Sequence, residues 1–579
     1  MKANRFFENV SLFFQRHQKW IEFITISAIF LLNLFMVMSR MQPPMLEINP
    51  NDGAKYIESG RLLFTWGLRN LSWGPLVAFV YAAIHLFVGN SPNWFMLETW
   101  IGNFIFFGML WISFYLLARQ LNKYISRYVI IGLLFSTTVF FPIIENQSDV
   151  VFIALAALGL MFMLRFNEDR KLKFVWFSAL CVALGVFARV ETILLIVPLV
   201  VFALVINRKQ YKVYKILIAT LVPITVLMAL FLIVNYITFG GPNLGMSGKS
   251  YDSFQMNQAF LPGSRNETAY RSGEAIFGTA EENNYSVLRA VLRNPLAVAE
   301  RALANLLAIP KSMISFYGGA QALLMTLFSG WGIYALIRRK QWTVLLLLLI
   351  WPLHAFVSLI FFSRHIVPQI SYAVFMLAAT GITYTLSGKS RLIERAILVL
   401  IAVGLVIYGI IDGSAIAFTD GLLLVVVGVL AFFDTVKESE ALRPMPGMIL
   451  LIGLMLFGYP FRFPNLAIGT TPEELSAHAL LEAVPVGAHT LTPYHTVAIA
   501  GKTTSFLLPP SISSTQGLLD FLESRNIQAI YVDSNLPYSS DVVAATLAKY
   551  PEAFTLYYDS PEGRIQIYLV NANAQPVSE

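Results

Sequence analysis

Runs of apolar residues long enough to cross a bilayer as helices recur along this chain almost to residue 460. They constrain its fold more than any other feature. Inside hydrocarbon every backbone amide and carbonyl must find a partner within the protein, so a helix is the only way a single apolar run can cross. Composition agrees: of 579 residues, 56% are hydrophobic and 13% charged, and the mean hydropathy is +0.64. Soluble domains carry about a quarter charged residues. The expected fold is an all-α polytopic membrane domain over residues 1–460 and a small α/β domain over 461–579, where polar and charged residues return throughout. Cys181 is the single cysteine, which excludes an internal disulfide and a thiolate metal cluster. The basic opening MKANRFFENVSLFFQRHQKW leads into an apolar segment that ends in MVMSRMQPP without a small-residue cleavage site. It reads as an uncleaved first span rather than a removable leader.

Basic clusters between the apolar runs set the topology, because Lys and Arg accumulate on the cytoplasmic side of membrane proteins. The run 72–89 is the pivotal case. If it crosses, RQLNKYISR at 119–127 falls outside. If it lies along the outer interface, that cluster falls inside together with RFNEDRKLK, NRKQYKVYK, RRK, SGKSRLIER and the basic N-terminus. The second choice predicts about thirteen spans, near 21–38, 98–118, 129–144, 149–165, 174–188, 191–206, 214–237, 314–337, 342–362, 366–386, 393–411, 416–433 and 446–460. It makes 39–97 and 238–310 external loops and puts the C-terminal domain outside the cytoplasm. The net charge of +7 then belongs to cytoplasmic loops facing anionic lipid, and no nucleic-acid partner is expected.

With this topology the unusual polar clusters share one face. EINPNDGAKYIESGRLL carries Asp52, Lys55 and Arg61, with Arg69 beyond it in LRNLSWGP; ENQSD carries Glu145 and Asp149; ARVE carries Arg189 and Glu191; the long loop 238–310 is the fourth; SRHIVP carries Arg364 and His365. Ionisable groups cost several kcal/mol each when unpaired in hydrocarbon. Five such clusters at one membrane boundary therefore point to a shared polar cavity. Taken singly, each also has a purely structural account. Asp52 can cap a helix from about Ala54 to Phe64, Asp149 suits a helix N-terminus, and ARVE can be a turn between two short spans. Glu145 and Asp149, four residues apart, share a face if the helix continues through both. The soluble-enzyme signatures are missing: no glycine-rich phosphate loop ending in Lys-Ser/Thr, no His-Glu-x-x-His, no Gly-x-Ser-x-Gly.

In their order, NDGAKYIESGRLL, GPLVAFVYAAIHLFVGNSP, ENQSDVVFIALAALG, ARVETILLIVP and RHIVPQISYAVFMLAATG resemble the GT-C superfamily of polyprenyl-phosphate-sugar-dependent glycosyltransferases. The pattern is most similar to the bacterial group of protein O-mannosyltransferases and lipid A aminoarabinose transferase, over roughly residues 20–390. The resemblance implies a multi-pass enzyme of the bacterial inner membrane with its active site on the periplasmic face. Its partners would be a polyprenyl-phosphate-linked sugar and a lipid, glycan or protein acceptor. Asp52 matches the acidic residue of the first external loop, the implied catalytic base. Glu145 and Asp149 match the region of the second acidic motif, and the sequence does not choose between them. Arg364, with His365 beside it, matches a basic position expected near the donor phosphate, to which Lys55, Arg61, Arg69 and Arg189 are added. Relatives carry a basic residue before a Pro-Pro pair where this chain reads LRNLSWGP, and Arg69 is the substitute cation. Some members hold a divalent ion between their acidic motifs and others do not, so metal dependence is left open.

The external loop 238–310 is rich in Gly, Ser and Asn and bears Lys249, Arg265 and Arg271. It is expected either to fold over the cavity as a lid when the donor binds or to serve as a platform. In the C-terminal domain TPEELSAHALLEAV and STQGLLDFLESRN have helical periodicity, while IQAIYVDS, AFTLYYDS and RIQIYLV read as strands. A competing reading of the whole chain is a lipid or solute transporter with an external sensing domain; the hydropathy lacks the paired broken helices of many such folds. The topology is testable: a reporter active only in the cytoplasm, fused after residue 579, is expected to stay silent, and a bright signal overturns the span count.

Overall fold

The protein was analysed as a computed structural model. It describes residues 75–89, 94–121, 147–207, 210–239, 273–279, 282–284, 286–317, 319–360, 365–386, 392–412, 472–492, 501–506, 514–534 and 540–571, with scattered positions elsewhere, chiefly within 16–31 and 56–63. The expected spans 129–144, 416–433 and 446–460 lie outside these residues, as do Asp52, Lys55, Arg69, Glu145, Lys249, Arg265, Arg271 and Arg364.

Among the described residues four helices are long and apolar enough to cross a membrane: Leu97–Leu121, Ser148–Asp169, Val213–Leu230 and Trp342–Leu359. Shorter apolar helices at Pro75–Val88, Leu172–Ala188, Glu191–Asn207, Ile366–Gly381 and Val399–Ile411 accompany them. In chain order the elements are α1 (Pro75–Val88), α2 (Trp94–Leu121), α3 (Gln147–Asp169), α4 (Leu172–Ala188), a 3-10 segment (Val190–Leu195), α5 (Ile196–Asn207) and α6 (Val213–Phe239). Then come α7 (Val287–Arg293), α8 (Pro295–Leu307), α9 (Ile309–Tyr317), α10 (Gly319–Arg338), α11 (Trp342–Ile350), a second 3-10 segment (Trp351–Leu359), α12 (Ile366–Leu386) and α13 (Leu392–Asp412). The expected span 342–362 is thus an α-helix that tightens into a 3-10 helix at Trp351, where Pro352 follows at once.

Helix α1 has 14 residues, about 21 Å of helix, too short for a hydrocarbon core of about 30 Å. It packs against α2, α3 and α4 and stops at Gly89, whose left-handed backbone (φ 61°) only glycine adopts without strain. The segment 238–310 differs from a continuous loop. α6 persists to Phe239, and α7 and α8 occupy its last third, capped at their starts by Ser286 and Asn294 side chains. These two helices leave Leu288, Leu292, Leu296, Leu303 and Leu307 exposed, an apolar face of the kind that suits a lipid interface.

The bundle core is built on α3, all of whose first ten apolar residues from Val150 to Leu160 except Leu158 are buried. It contacts α2 on one side and α4 on the other, and touches α5, α11 and α12. A helix apolar on every face belongs in the middle of a bundle, and α3 sits there. Among the described helices α10 and α12 make the most extensive contact. Gly332 and Gly381 make it so: a methyl added to either would overlap the partner's backbone at Leu377 or Phe328. Small residues let helix backbones approach closely where no hydrophobic effect drives them together. A second close contact lies near the N-terminus. Tyr81 of α1 is wedged between Gly60, where a methyl would come within 2.7 Å of its Cβ, and Gly102, where one would come within 2.6 Å of its hydroxyl.

The C-terminal domain is α/β as expected. It contains α14 (Pro472–Ala483), α15 (Thr515–Ser524) and α16 (Ser540–Lys549) beside a five-stranded sheet of order β2-β1-β3-β5-β4. Strands β1 (His489–Leu491) and β2 (Thr504–Phe506) are parallel to each other, and β1 is parallel to β3 (Ile527–Asp533). β5 (Ile565–Val570) runs antiparallel to both β3 and β4 (Phe554–Asp559). Arg564 donates two hydrogen bonds to the buried Asp533, Nε to Oδ1 at 3.2 Å and Nη2 to Oδ2 at 3.0 Å, locking the start of β5 to the end of β3. The bundle offers a stability test: Gly332→Ala is expected to cost about 1–3 kcal/mol by overpacking, read as a lowered Tm in detergent, whereas Gly330→Ala, whose added methyl meets open space inside a helix that alanine favours over glycine, does not lower Tm.

Candidate functional site

Three segments far apart in sequence bring their ionisable residues together. Asp149 lies in the first turn of α3, where the helix dipole favours a carboxylate. Arg189 follows α4. The helix ends because Arg189 takes an extended conformation (φ −150°, ψ 126°) while its N–H still donates to the Gly185 carbonyl at 2.8 Å. Thr192 then donates from Oγ1 to the Arg189 carbonyl at 2.7 Å and packs its methyl on Gly185, so the 3-10 segment turns back at once and carries Glu191 beside Arg189. His365 immediately precedes α12.

The geometry is a chain of alternating charges. Arg189 Nη1 lies 2.9 Å from Asp149 Oδ1, and Nη2 donates to Glu191 Oε1 at 2.9 Å. His365 Nδ1 meets the other Asp149 oxygen, Oδ2, at 2.6 Å. Asp149 is thereby shared between two partners, one on each oxygen, and its side chain is only 2% exposed. The approach of Arg189 to Asp149 Oδ1 is a charge contact without hydrogen-bond alignment. Burial by itself would lower the Arg189 pKa, and the adjoining carboxylates of Asp149 and Glu191 outweigh it, holding the guanidinium above its ordinary value. It is a permanent cation. Around the cluster, Gln369 lies against Asp149 and accepts from Ser358 Oγ at 3.3 Å, and Tyr56 lies within electrostatic reach of Arg189. Trp351 braces the wall by donating from Nε1 to the Ala156 carbonyl of α3 at 3.1 Å.

Of the residues singled out from sequence, Asp149, Arg189, Glu191 and His365 converge. Arg61 is described elsewhere, within electrostatic reach of Glu98. Glu98 was missed. It is buried at the start of α2 and bonded through Oε1 to His85 Nδ1 of α1 at 2.7 Å. An acid followed by twenty uncharged, mostly apolar residues was the signal. Gln369 was missed as well, although its place four residues after His365 on a helix start puts both on one face. Both oxygens of Asp149 and one of Glu191 already face Arg189 or His365, and among the described residues no three His, Cys, Asp or Glu side chains cluster as cation ligands.

No family model and no curated sequence matches the chain. Solved structures do. ArnT from Cupriavidus metallidurans, bound to undecaprenyl phosphate, superposes with a TM-score of 0.54 at 14% identity, over 96% of this chain and 98% of that one. The chain has the GT-C fold. The same ArnT in the apo state gives a TM-score of 0.50 at 12% identity over the same shares. The Archaeoglobus fulgidus oligosaccharyltransferase, in complex with Zn and sulfate, gives 0.50 at 12% identity over 93% of this chain and 72% of that one. End-to-end coverage by ArnT extends the GT-C likeness beyond residues 20–390, into the C-terminal domain.

A buried pair resists removal of one member more than of both, because the survivor is left charged without a partner. Asp149→Asn and Arg189→Met are each expected to destabilise by about 3–5 kcal/mol, and the double variant by less than their sum. Thermal unfolding of the four proteins in one detergent measures the coupling.

Proposed function

We propose that the chain is a glycosyltransferase that moves a sugar from a polyprenyl-phosphate-linked donor to an acceptor hydroxyl on the external face of the membrane, by a single inverting displacement. The observation that carries this reading is the buried Asp149–Arg189–Glu191–His365 cluster at the helix ends of a GT-C fold. The group fixes how the helix ends meet, and stability alone does not call for it, since buried ion pairs are often no better than apolar packing. The likeness to an ArnT that binds undecaprenyl phosphate supports the donor class.

The donor is a phosphodiester and brings its own leaving group. Asp52 takes the proton of the acceptor hydroxyl as the oxygen attacks the anomeric carbon. The bond from that carbon to the phosphate oxygen breaks, and its electron pair leaves with polyprenyl phosphate, which gains one negative charge. Cations aimed at that developing charge lower the barrier. Arg364, Lys55, Arg61 and Arg69 fill this role, with His365 at the edge of the same cavity. Arg189, both of whose Nη groups face carboxylates, acts with Asp149 to hold the wall and the His365 ring in place. Glu145 belongs to the same acidic motif, and Lys249, Arg265 and Arg271 belong to a segment that closes over bound donor.

Asp52→Asn is expected to lower kcat by about 10²- to 10⁴-fold with the donor KM little changed, because the carboxylate works mainly in the transition state. Release of polyprenyl phosphate from a panel of lipid-linked sugars measures it, and the anomeric configuration of the product by NMR reports inversion. Movement of substrate across vesicles without covalent change would replace this reading with the transporter.

A further inference from the structure

A groove runs between α14 and the β4–β5 hairpin of the C-terminal domain, with a volume of about 500 Å³. Its walls are chemically distinctive. From α14 come Leu475, His478 and Glu482, at i, i+3 and i+7, a single stripe of the helix. From the hairpin come Tyr557, Tyr558 and Asp559.

Two consecutive tyrosines lining one groove is an anomaly, because successive side chains of a strand point to opposite faces. A bulge removes it. Leu556 pairs with Tyr568 and Tyr558 pairs with Ile567, so Tyr557 has no residue opposite it on β5. Bulges re-aim side chains, and this one lets Tyr557 and Tyr558 both reach the groove. Tyr557 remains 45% exposed, whereas the Tyr558 hydroxyl is shielded from water and has no hydrogen-bond partner among the described residues. Burial, and then the charge of Asp559, push the Tyr558 phenol up, so it stays a donor at neutral pH. β4 is the edge strand of the sheet, and among the described residues no further strand covers this side.

Two phenol rings, two carboxylates and an imidazole make a particular recognition chemistry. Rings stack on the C–H face of a pyranose or furanose, and carboxylates accept from neighbouring hydroxyls. The same carboxylates repel phosphate. The volume lies within the range of small-molecule pockets. We propose that this groove is a binding site for a sugar ring with free hydroxyls, neutral or amino-bearing, separate from the Asp149–Arg189–His365 cluster. It stands whether or not the chain transfers sugar.

The test is saturation-transfer NMR on the full chain in nanodiscs, with methyl glycosides of hexoses and pentoses, an amino sugar, a short oligosaccharide and a sugar phosphate. Transfer to ring C–H protons is expected for at least one uncharged or amino-bearing ligand. Affinity is expected to fall about tenfold in Tyr557→Ala, the loss of one aromatic contact, and to fall in Glu482→Gln. The exposure of Tyr557 makes its removal harmless to folding, and circular dichroism of the variant checks this. Binding of monosaccharides marks a single ring as the ligand, binding of the oligosaccharide alone marks a glycan, and either supports the site. Asp52→Asn, which stops transfer under the reading above, leaves this binding unchanged, so the two ideas fail separately. No saturation transfer to any sugar, equal binding of the sugar phosphate, or binding that survives both groove variants would overturn the proposal.

Discussion

The shared carboxylate of Asp149 is the interaction on which the membrane domain depends. One oxygen faces Arg189 and the other His365, so the start of α3, the break after α4 and the start of α12 are tied at a single point. None of the three ends is shaped by apolar packing alone. In lipid the apolar effect does not tell one helix contact from another, and specificity falls to close backbone approach and to polar pairs. The bundle uses both. Gly332 and Gly381 bring α10 onto α12, and the ionic cluster fixes where α12 begins relative to α3 and α4.

That division explains what the sequence disclosed. Spans such as 98–118, 149–165, 214–237 and 366–386 are legible because apolar length is a direct demand of the bilayer, and helices Trp94–Leu121, Gln147–Asp169, Val213–Phe239 and Ile366–Leu386 answer them. The charge-breaking residues Asp149, Arg189 and His365 are legible for the complementary reason: a charge in such a run is costly unless paired. Their pairing is not legible. Asp149 and His365 are 216 positions apart, and neither charge nor spacing says that His365, rather than another of the external groups, faces Asp149. Glu98 escaped notice because its partner His85 sits inside an apolar run and is neutral in a simple charge count.

The C-terminal domain divides the same way. Strands of six or seven residues with β-branched and aromatic alternation, Ile527–Asp533, Phe554–Asp559 and Ile565–Val570, are visible in advance. The three-residue strands His489–Leu491 and Thr504–Phe506 are too short to show a period, and only their parallel pairing in the finished sheet defines them. Helix Ser540–Lys549 likewise follows a stretch, NLPYSS, that reads as loop. The bulge at Tyr557 is invisible to any alternation rule, since it consists in breaking that rule.

The wedge of Tyr81 between Gly60 and Gly102 has a consequence for how this chain can change over time. No side chain fits at Gly102 while the ring is there, at Gly60 an added methyl would meet the Tyr81 Cβ and the α1 backbone at Ala78 and Ala82, and a smaller residue at position 81 would leave a void between three helical segments. A lineage must therefore pass through a cavity or a clash to alter any of the three; substitutions at 81 and 102 should appear in descendants together, while backbone contact holds glycine at 60 whatever ring stands at 81. The constraint acts on the segment that follows Asp52 and carries Tyr56, so drift in its position is held back by selection on packing even where selection on chemistry is relaxed.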